Sequence, residues 1–258
     1  MLNTDTGPVN LRAEFEPETI NLKWYNGNNQ ITVPNASNSC TYDTAISLPT
    51  DPVKPGYKFK GWNVIPGTPV EYIQSTGTEM IDTGILFNTG NIKILANFYS
   101  EYVTNELDFM GNIEGSYPIQ FPKGFCIGNW QGNGIFLYAR PSSEGWRQTI
   151  SAGWHDIKAE YTNGIGTFWI DSAKIATLSD KNFYSDASNI YLFKGGQNYL
   201  SSGPQQKINT VSIYINGVLT RDYIPIKDYN NVPCMYDKVS KQCFYNSGTG
   251  NFTAGPEI

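Results

Sequence analysis

Charge is scarce in this 258-residue chain: only 16% of residues are Asp, Glu, Lys or Arg, and His155 is the single histidine. That scarcity removes most catalytic equipment, because acid–base and metal chemistry draw on clusters of His, Asp and Glu. Basic residues are outnumbered 18 to 23, so the basic stripe that a nucleic-acid partner requires is missing. No run approaches the roughly 18 apolar residues of a membrane-spanning helix, so membrane insertion is not expected. The start, Met-Leu-Asn-Thr-Asp-Thr-Gly, lacks the basic and apolar stretches of a secretory signal. A virion protein released by lysis accounts for that, as does a piece cut from a longer exported protein. The start at Met1 favours a complete chain. The four cysteines, Cys40, Cys126, Cys234 and Cys243, form no C-x-x-C pair and have one histidine to help them, so no zinc site is expected. No run of carboxylates spells a calcium loop, and no other metal or cofactor is expected. The cysteines read as small buried hydrophobes. Cys234 and Cys243 flank a hairpin-like stretch, across which a disulfide is geometrically allowed.

Helical periodicity beyond two turns is absent as well. In its place are strand formers and turn formers: 14% aromatic residues, 25 Gly and 15 Pro, a balance that points to short strands joined by tight turns. The expected class is all-β. Residues 9–15 and 19–25 alternate like half-buried strands, with Ile20, Leu22 and Trp24 on one face. Asn26-Gly27-Asn28-Asn29 is a hairpin turn, since Asn and Gly accept the positive φ that tight turns demand. Residues 31–33 return. The prolines at 49, 52 and 55 then hold the chain extended into Gly56-Tyr57-Lys58-Phe59-Lys60-Gly61-Trp62.

That last segment, with Leu48-Pro49-Thr50-Asp51-Pro52 before it, resembles the internalin-type B repeat, a small β-grasp-like module of bacterial surface proteins. The resemblance covers roughly residues 18–66. Leu11-Arg12-Ala13-Glu14-Phe15 resembles the closing strand of such a repeat, displaced to a position before its core. A first domain is therefore expected over residues 1–66. Ile65-Pro66-Gly67-Thr68-Pro69 reads as a short, semi-stiff linker.

Residues 70–258 read as one larger β domain. About a dozen strands are expected, near residues 79–85, 92–99, 107–112, 125–129, 134–138, 155–161, 166–171, 173–178, 189–193, 209–215, 220–226 and 241–245. Alternation is plain where Ile157, Ala159 and Tyr161 oppose Asp156, Lys158 and Glu160. Such spacing predicts a sandwich or jelly roll. The opening Val70-Glu71-Tyr72-Ile73-Gln74-Ser75-Thr76-Gly77-Thr78-Glu79-Met80-Ile81-Asp82-Thr83-Gly84 resembles concanavalin-like (laminin-G-like) domains of gut bacterial and phage proteins. So do Trp154–Ile157, Thr167–Asp171 and the tail from Arg221 to Ser240. The resemblance implies two curved antiparallel sheets and a concave face often used for glycans. It implies no particular function, because the fold serves enzymes, lectins and spacers alike.

Three constellations bear on chemistry. Glu106-Leu107-Asp108-Phe109-Met110-Gly111 is close to the Glu-x-Asp-x-x-Glu strand of retaining glycoside hydrolases, which need two carboxylates about 5 Å apart. Gly111 replaces the final acid, and Glu114 lies three residues further on, so catalysis is not expected. A Ser-His-Asp arrangement would have to use His155, with Ser151 the nearest upstream hydroxyl. A hydrogen-bonded strand-edge histidine is the plainer reading. For glycans, Trp130, Trp146, Tyr138 and Tyr199 offer stacking rings, and Asn129 and Gln131 offer amides.

The leading expectation is thus a non-enzymatic surface-display protein, a virion decoration or fibre-associated protein on a phage particle. Its first domain would dock to other virion or envelope proteins while the sandwich faces glycans; homo-oligomers are allowed. The alternative is a bacterial cell-surface adhesin, or a carbohydrate-binding module of a larger secreted protein.

Overall fold

The computed structural model describes residues 19–26, 29–33, 36–41, scattered positions from 46 to 58, and 65–101. It also describes residues 107–114, 123–130, 134–140, 146–179, 183–196 and 206–258. The chain divides into two compact units, Met1–Val64 and Ile65–Ile258.

In the first unit, strand β1 (Thr19–Asn21) pairs with β4 (Ser39–Thr41), and β2 (Trp24–Asn26) pairs with β3 (Asn29–Ile31). Asn26 stands opposite Asn29, the register that the Asn-Gly turn signal implies. The strand expected over 19–25 divides at Leu22–Lys23: residues before it pair with β4, where the Leu22 N–H donates to the Asn38 carbonyl, and those after it pair with β3. The strand expected at 9–15 and most of the Gly-Tyr-x-Phe-x-Gly-Trp segment lie outside the described residues.

The second unit is an all-β jelly-roll sandwich. Its strands are β5 (Thr68–Pro69), β6 (Ile73–Gln74), β7 (Ile81–Asp82), β8 (Ile92–Ser100), β9 (Leu107–Gly111), β10 (Gly124–Trp130) and β11 (Gly134–Arg140). Then follow β12 (Trp146–Thr149), β13 (Gly153–Thr162), β14 (Ile165–Ile170), β15 (Ala173–Ser179), β16 (Tyr191–Leu192) and β17 (Lys207–Ile215). The chain ends with β18 (Val218–Lys227), β19 (Pro233–Asp237), β20 (Gln242–Phe244) and β21 (Thr253–Ala254). One sheet runs β12-β11-β10-β9-β16-β7, and every pairing in it is antiparallel. The larger runs β15-β14-β13-β8-β17-β18-β19-β20, with β5, β6 and β21 attached at its side.

Period-two patterning builds the core. In β8 burial alternates without a break, so Ile92, Ile94, Ala96 and Phe98 point inward while Lys93, Leu95, Asn97 and Tyr99 point outward. Strand β13 repeats this with His155, Ile157, Ala159 and Tyr161 inward. The two inner faces meet through aromatic contacts such as Phe98–Phe109, whose ring centroids are 4.2 Å apart. Each fully buried Phe of this kind contributes roughly 1.5–3 kcal/mol.

Two local departures from the sequence reading have physical causes. Ile65–Pro69 is no spacer: Thr68 and Pro69 pair with Lys227 and Ile226, and Gly67 lies so close that an added Cβ would come within 2.1 Å of the Lys227 carbonyl oxygen. The strand expected over 79–85 shrinks to Ile81–Asp82. On either side of it side chains take the backbone N–H groups: that of Met80 donates to Asn246 Oδ1, that of Gly84 to Asp82 Oδ1 and that of Ile85 to Thr83 Oγ1, so they are taken out of any ladder.

Candidate functional site

The outward face of the larger sheet carries an aromatic and amide platform where β6, β17, β8 and β13 lie side by side. Trp154 on β13 stands opposite Tyr99 on β8, and Tyr99 stands opposite Lys207 on β17. Tyr72, two residues before Gln74, reaches the same face because Gln74 is the partner of Lys207. Trp154 packs against Tyr99 edge-on at 5.5 Å and against Tyr72 at 5.7 Å between centroids. The Lys207 ammonium sits 4.4 Å from the Tyr99 centroid and 5.4 Å from that of Tyr72. This buttressing holds the rings in place, and Trp154 remains 39% exposed. An indole this open, with Tyr99 and Tyr72 beside it, presents an apolar face to solvent on an otherwise polar surface.

Polar groups line the same face. Asn97 Nδ2 donates to Asp156 Oδ1 at 2.7 Å, and Asn209 Nδ2 donates to the Glu71 carbonyl at 2.6 Å. The Asn97–Asp156 bond uses one acceptor of the carboxylate. Among the described residues, Asn97 Oδ1 and Asp156 Oδ2 have no partner. Further along, the ring faces are already occupied: Lys158 lies 3.6 Å from the Trp169 centroid and Lys93 lies 3.9 Å from that of Tyr214.

The residues singled out from sequence are distributed differently. Trp146 is half-buried and meets Phe168 edge-on at 5.6 Å, closing the core at the β12 edge. Tyr138 is 5% exposed, clustered with Ile113, Cys126 and Phe136, and its hydroxyl accepts from Arg147 Nε at 3.0 Å. Asn129 is buried and takes a hydrogen bond from the Ser100 hydroxyl at 3.2 Å. Trp130 ends β10 opposite Gly134. Tyr199 and Gln131 lie outside the described residues. Sequence reasoning passed over Trp154, Tyr99 and Tyr72. The signal that would find Trp154 is the alternation of β13 itself: it falls in step with Asp156, Lys158 and Glu160, an apolar ring on a polar face.

Behind Trp154, His155 faces inward and presents a triad-like array. Ser151 Oγ is 3.5 Å from His155 Nε2, and His155 Nδ1 is 2.7 Å from Asp171 Oδ2. However, Nε2 is also 2.9 Å from the Ser151 carbonyl oxygen, a far better bond. A ring nitrogen that donates to a carbonyl has no lone pair left to take a serine proton. The array is structural: Asp171 also accepts from the Asp156 N–H at 3.0 Å, tying the start of β13 to the β14–β15 turn. Burial pushes the Asp171 carboxyl up, and the His155 and Asp156 hydrogen bonds more than reverse that, holding it below the usual range. Of the carboxylates considered for hydrolysis, Asp108 is buried opposite Gly128, and Glu106 lies outside the described residues. Glu114 accepts from the Ser185 hydroxyl at 3.0 Å and the Ala187 N–H at 3.2 Å, capping a loop.

Residues 24–96 match the Listeria-Bacteroides repeat domain family. The match begins in the first unit and runs on through β5–β7 into β8 of the sandwich. A comparison with curated protein sequences finds no match. Among solved structures, a candidate carbohydrate-binding protein from Bacteroides ovatus ATCC 8483 is similar, with a TM-score of 0.48 and 12% identity over 74% of this chain. This chain spans 62% of that protein's length. The Ruminococcus gnavus IT-sialidase CBM40 gives a TM-score of 0.40 at 14% identity, covering 57% of this chain and 89% of the other. Mouse laminin α1 domains LG4-5 give 0.41 at 10% identity, covering 64% and 46%.

Proposed function

We propose that this chain is a non-catalytic glycan-binding module of an extracellular or cell-surface protein. The observation that carries the reading is the Trp154–Tyr99–Tyr72 platform with Asn97 and Asp156 beside it. A sugar ring has one or both faces lined by C–H groups, which stack on an open indole, while its hydroxyls need fixed acceptors and donors at the rim. Trp154 supplies the stacking face, and Asn97 and Asp156 supply the rim. Strand pairing on both sides of β8 pre-orders the site, so little entropy is lost on binding. The carbohydrate-binding descriptions of the Bacteroides ovatus and Ruminococcus gnavus proteins belong to those proteins; the reading for this chain rests on its own sheet face. The similarities above give no support to the virion reading, and the adhesin or binding-module reading is preferred. In it the first unit serves as spacer or docking element.

A glycan array followed by calorimetry on the full chain tests the proposal. Binding in the sub-millimolar range is expected, weakened about tenfold or more, some 1.4 kcal/mol, by Trp154→Ala. Asp156→Asn should shift the preference among sugars, and Trp146→Ala should act only through stability. No binding to any glycan, or binding indifferent to Trp154→Ala and Tyr99→Ala together, would overturn it.

A further inference from the structure

Cys234 and Cys243 lie on one face of the β19–β20 hairpin. The register pairs Tyr236 with Cys243, which makes Cys234, two residues before Tyr236, the diagonal neighbour of Cys243. Both thiols join a small cluster with Ile226, Tyr236, Ile65 and Ile224, apart from the main core. The two side chains pack within this cluster, and burial pushes the Cys234 thiol well up. Cys234 is fully buried, whereas Cys243 is half-buried. Cys126 belongs to the other sheet and Cys40 to the first unit, so neither shares this cluster.

We propose that Cys234 and Cys243 are a redox modification site that closes to a cross-strand disulfide. Diagonal positions sit slightly wide of ideal disulfide spacing, so one strand must move inward. Strand β20 can do so: it is three residues long and ends the sheet order, with β19 as its only ladder partner among the described residues. The asymmetry in burial sets the order of events. With glutathione disulfide as oxidant, the Cys243 thiolate attacks one of its sulfurs and expels one glutathione thiolate, leaving a mixed disulfide. The Cys234 thiol then gives up its proton to solvent, and its sulfur attacks Cys243 Sγ, expelling the second glutathione thiolate. Two protein thiols are oxidised and one glutathione disulfide is reduced to two thiols.

The bond would fix the point from which the C-terminal tail leaves the sheet. That tail crosses to Met80, whose N–H donates to Asn246 Oδ1 at 3.1 Å and whose carbonyl accepts from the Ser247 N–H at 2.8 Å. Closing the hairpin therefore ties β19 to the loop around Glu79.

The test treats the folded full chain with glutathione disulfide, blocks remaining thiols after denaturation, and digests with trypsin. Lys238 and Lys241 lie between the two cysteines, so trypsin separates them unless the sulfurs are joined. The expected result is a linked pair of peptides, one carrying Cys234 and one Cys243, about 2 Da lighter than the two thiols. A melting temperature about 5 °C higher than that of the reduced protein should accompany it. In Cys234→Ala the reaction should stop at a glutathione adduct on Cys243, and Cys243→Ser should abolish the redox shift in melting. A stable adduct on Cys243 in the unmutated chain, unreacted thiols, or linkage to Cys40 or Cys126 would overturn the proposal.

Discussion

Replacing Glu79 by Gln probes whether a buried charge organises the loop that leads into the sandwich. Glu79 is 2% exposed, and its Oε2 accepts from Ser75 Oγ at 3.0 Å and from the N–H groups of Thr76, Gly77 and Thr78 at 2.7, 3.1 and 3.2 Å. Oε1 accepts from the Thr76 hydroxyl at 2.7 Å. Burial alone raises the pKa of a carboxyl, but these donors outweigh it, with the Thr76 hydroxyl foremost, and bring Glu79 from an ordinary 4.5 down to about 2. At about 1.4 kcal/mol per pH unit, and with some screening near the loop surface, the ionised form stabilises the fold by about 2–3 kcal/mol. Glutamine keeps the shape: its carbonyl can take the Oε2 position, and its amide can donate to a turned Thr76 hydroxyl. What it lacks is the charge. Because the folded value is depressed, this stability is present above the unfolded value and is lost as pH falls toward the folded one. The difference between wild type and Glu79→Gln, measured by urea unfolding, should therefore be about 2–3 kcal/mol near neutrality and shrink by about 2 kcal/mol between pH 6 and pH 3. Equal stability of the two proteins near neutrality, or a gap that stays constant with pH, would refute the reasoning.

Two further substitutions test the framework of the sandwich. Gly128→Ala should cost more than about 2 kcal/mol in urea unfolding, or prevent folding, because the new Cβ would come within 2.1 Å of the Leu107 carbonyl oxygen at the β9–β10 bulge. Asp171→Asn keeps the turn but weakens its hold on the His155 ring. It should cost up to about 1 kcal/mol, given the exposure of the carboxylate, and the loss should be full above the ordinary aspartate range and fade as pH falls through it.

How far the sequence could be read depended on the kind of signal each residue gave. Alternation in 155–161 and 209–215 carried through to β13 and β17, because a buried face on a paired strand leaves only one register. Pro69 misled for a reason particular to proline: it reads as a linker residue, yet at the side of a sheet its missing N–H costs nothing. Glu79 gave no signal of its role, because the backbone donors of Thr76, Gly77 and Thr78 converge on its carboxylate only in the folded loop. The aromatic residues were hardest to place. Loop-like surroundings pointed to Trp146 and Tyr138, yet Trp146 seals the core edge against Phe168 and Tyr138 is buried under Arg147. Trp154 stands just before the strand expected at 155–161 and drew no reading, yet its ring is open. What distinguishes the two cases is parity along the strand rather than the company the residue keeps. Trp154 shares parity with Asp156, Lys158 and Glu160, and that alone assigns it to the outer face. The same parity, carried across β8 by the pairing of Trp154 with Tyr99, gathers the platform from three separate stretches of chain. Only the strand order, which no single stretch encodes, brings those stretches together.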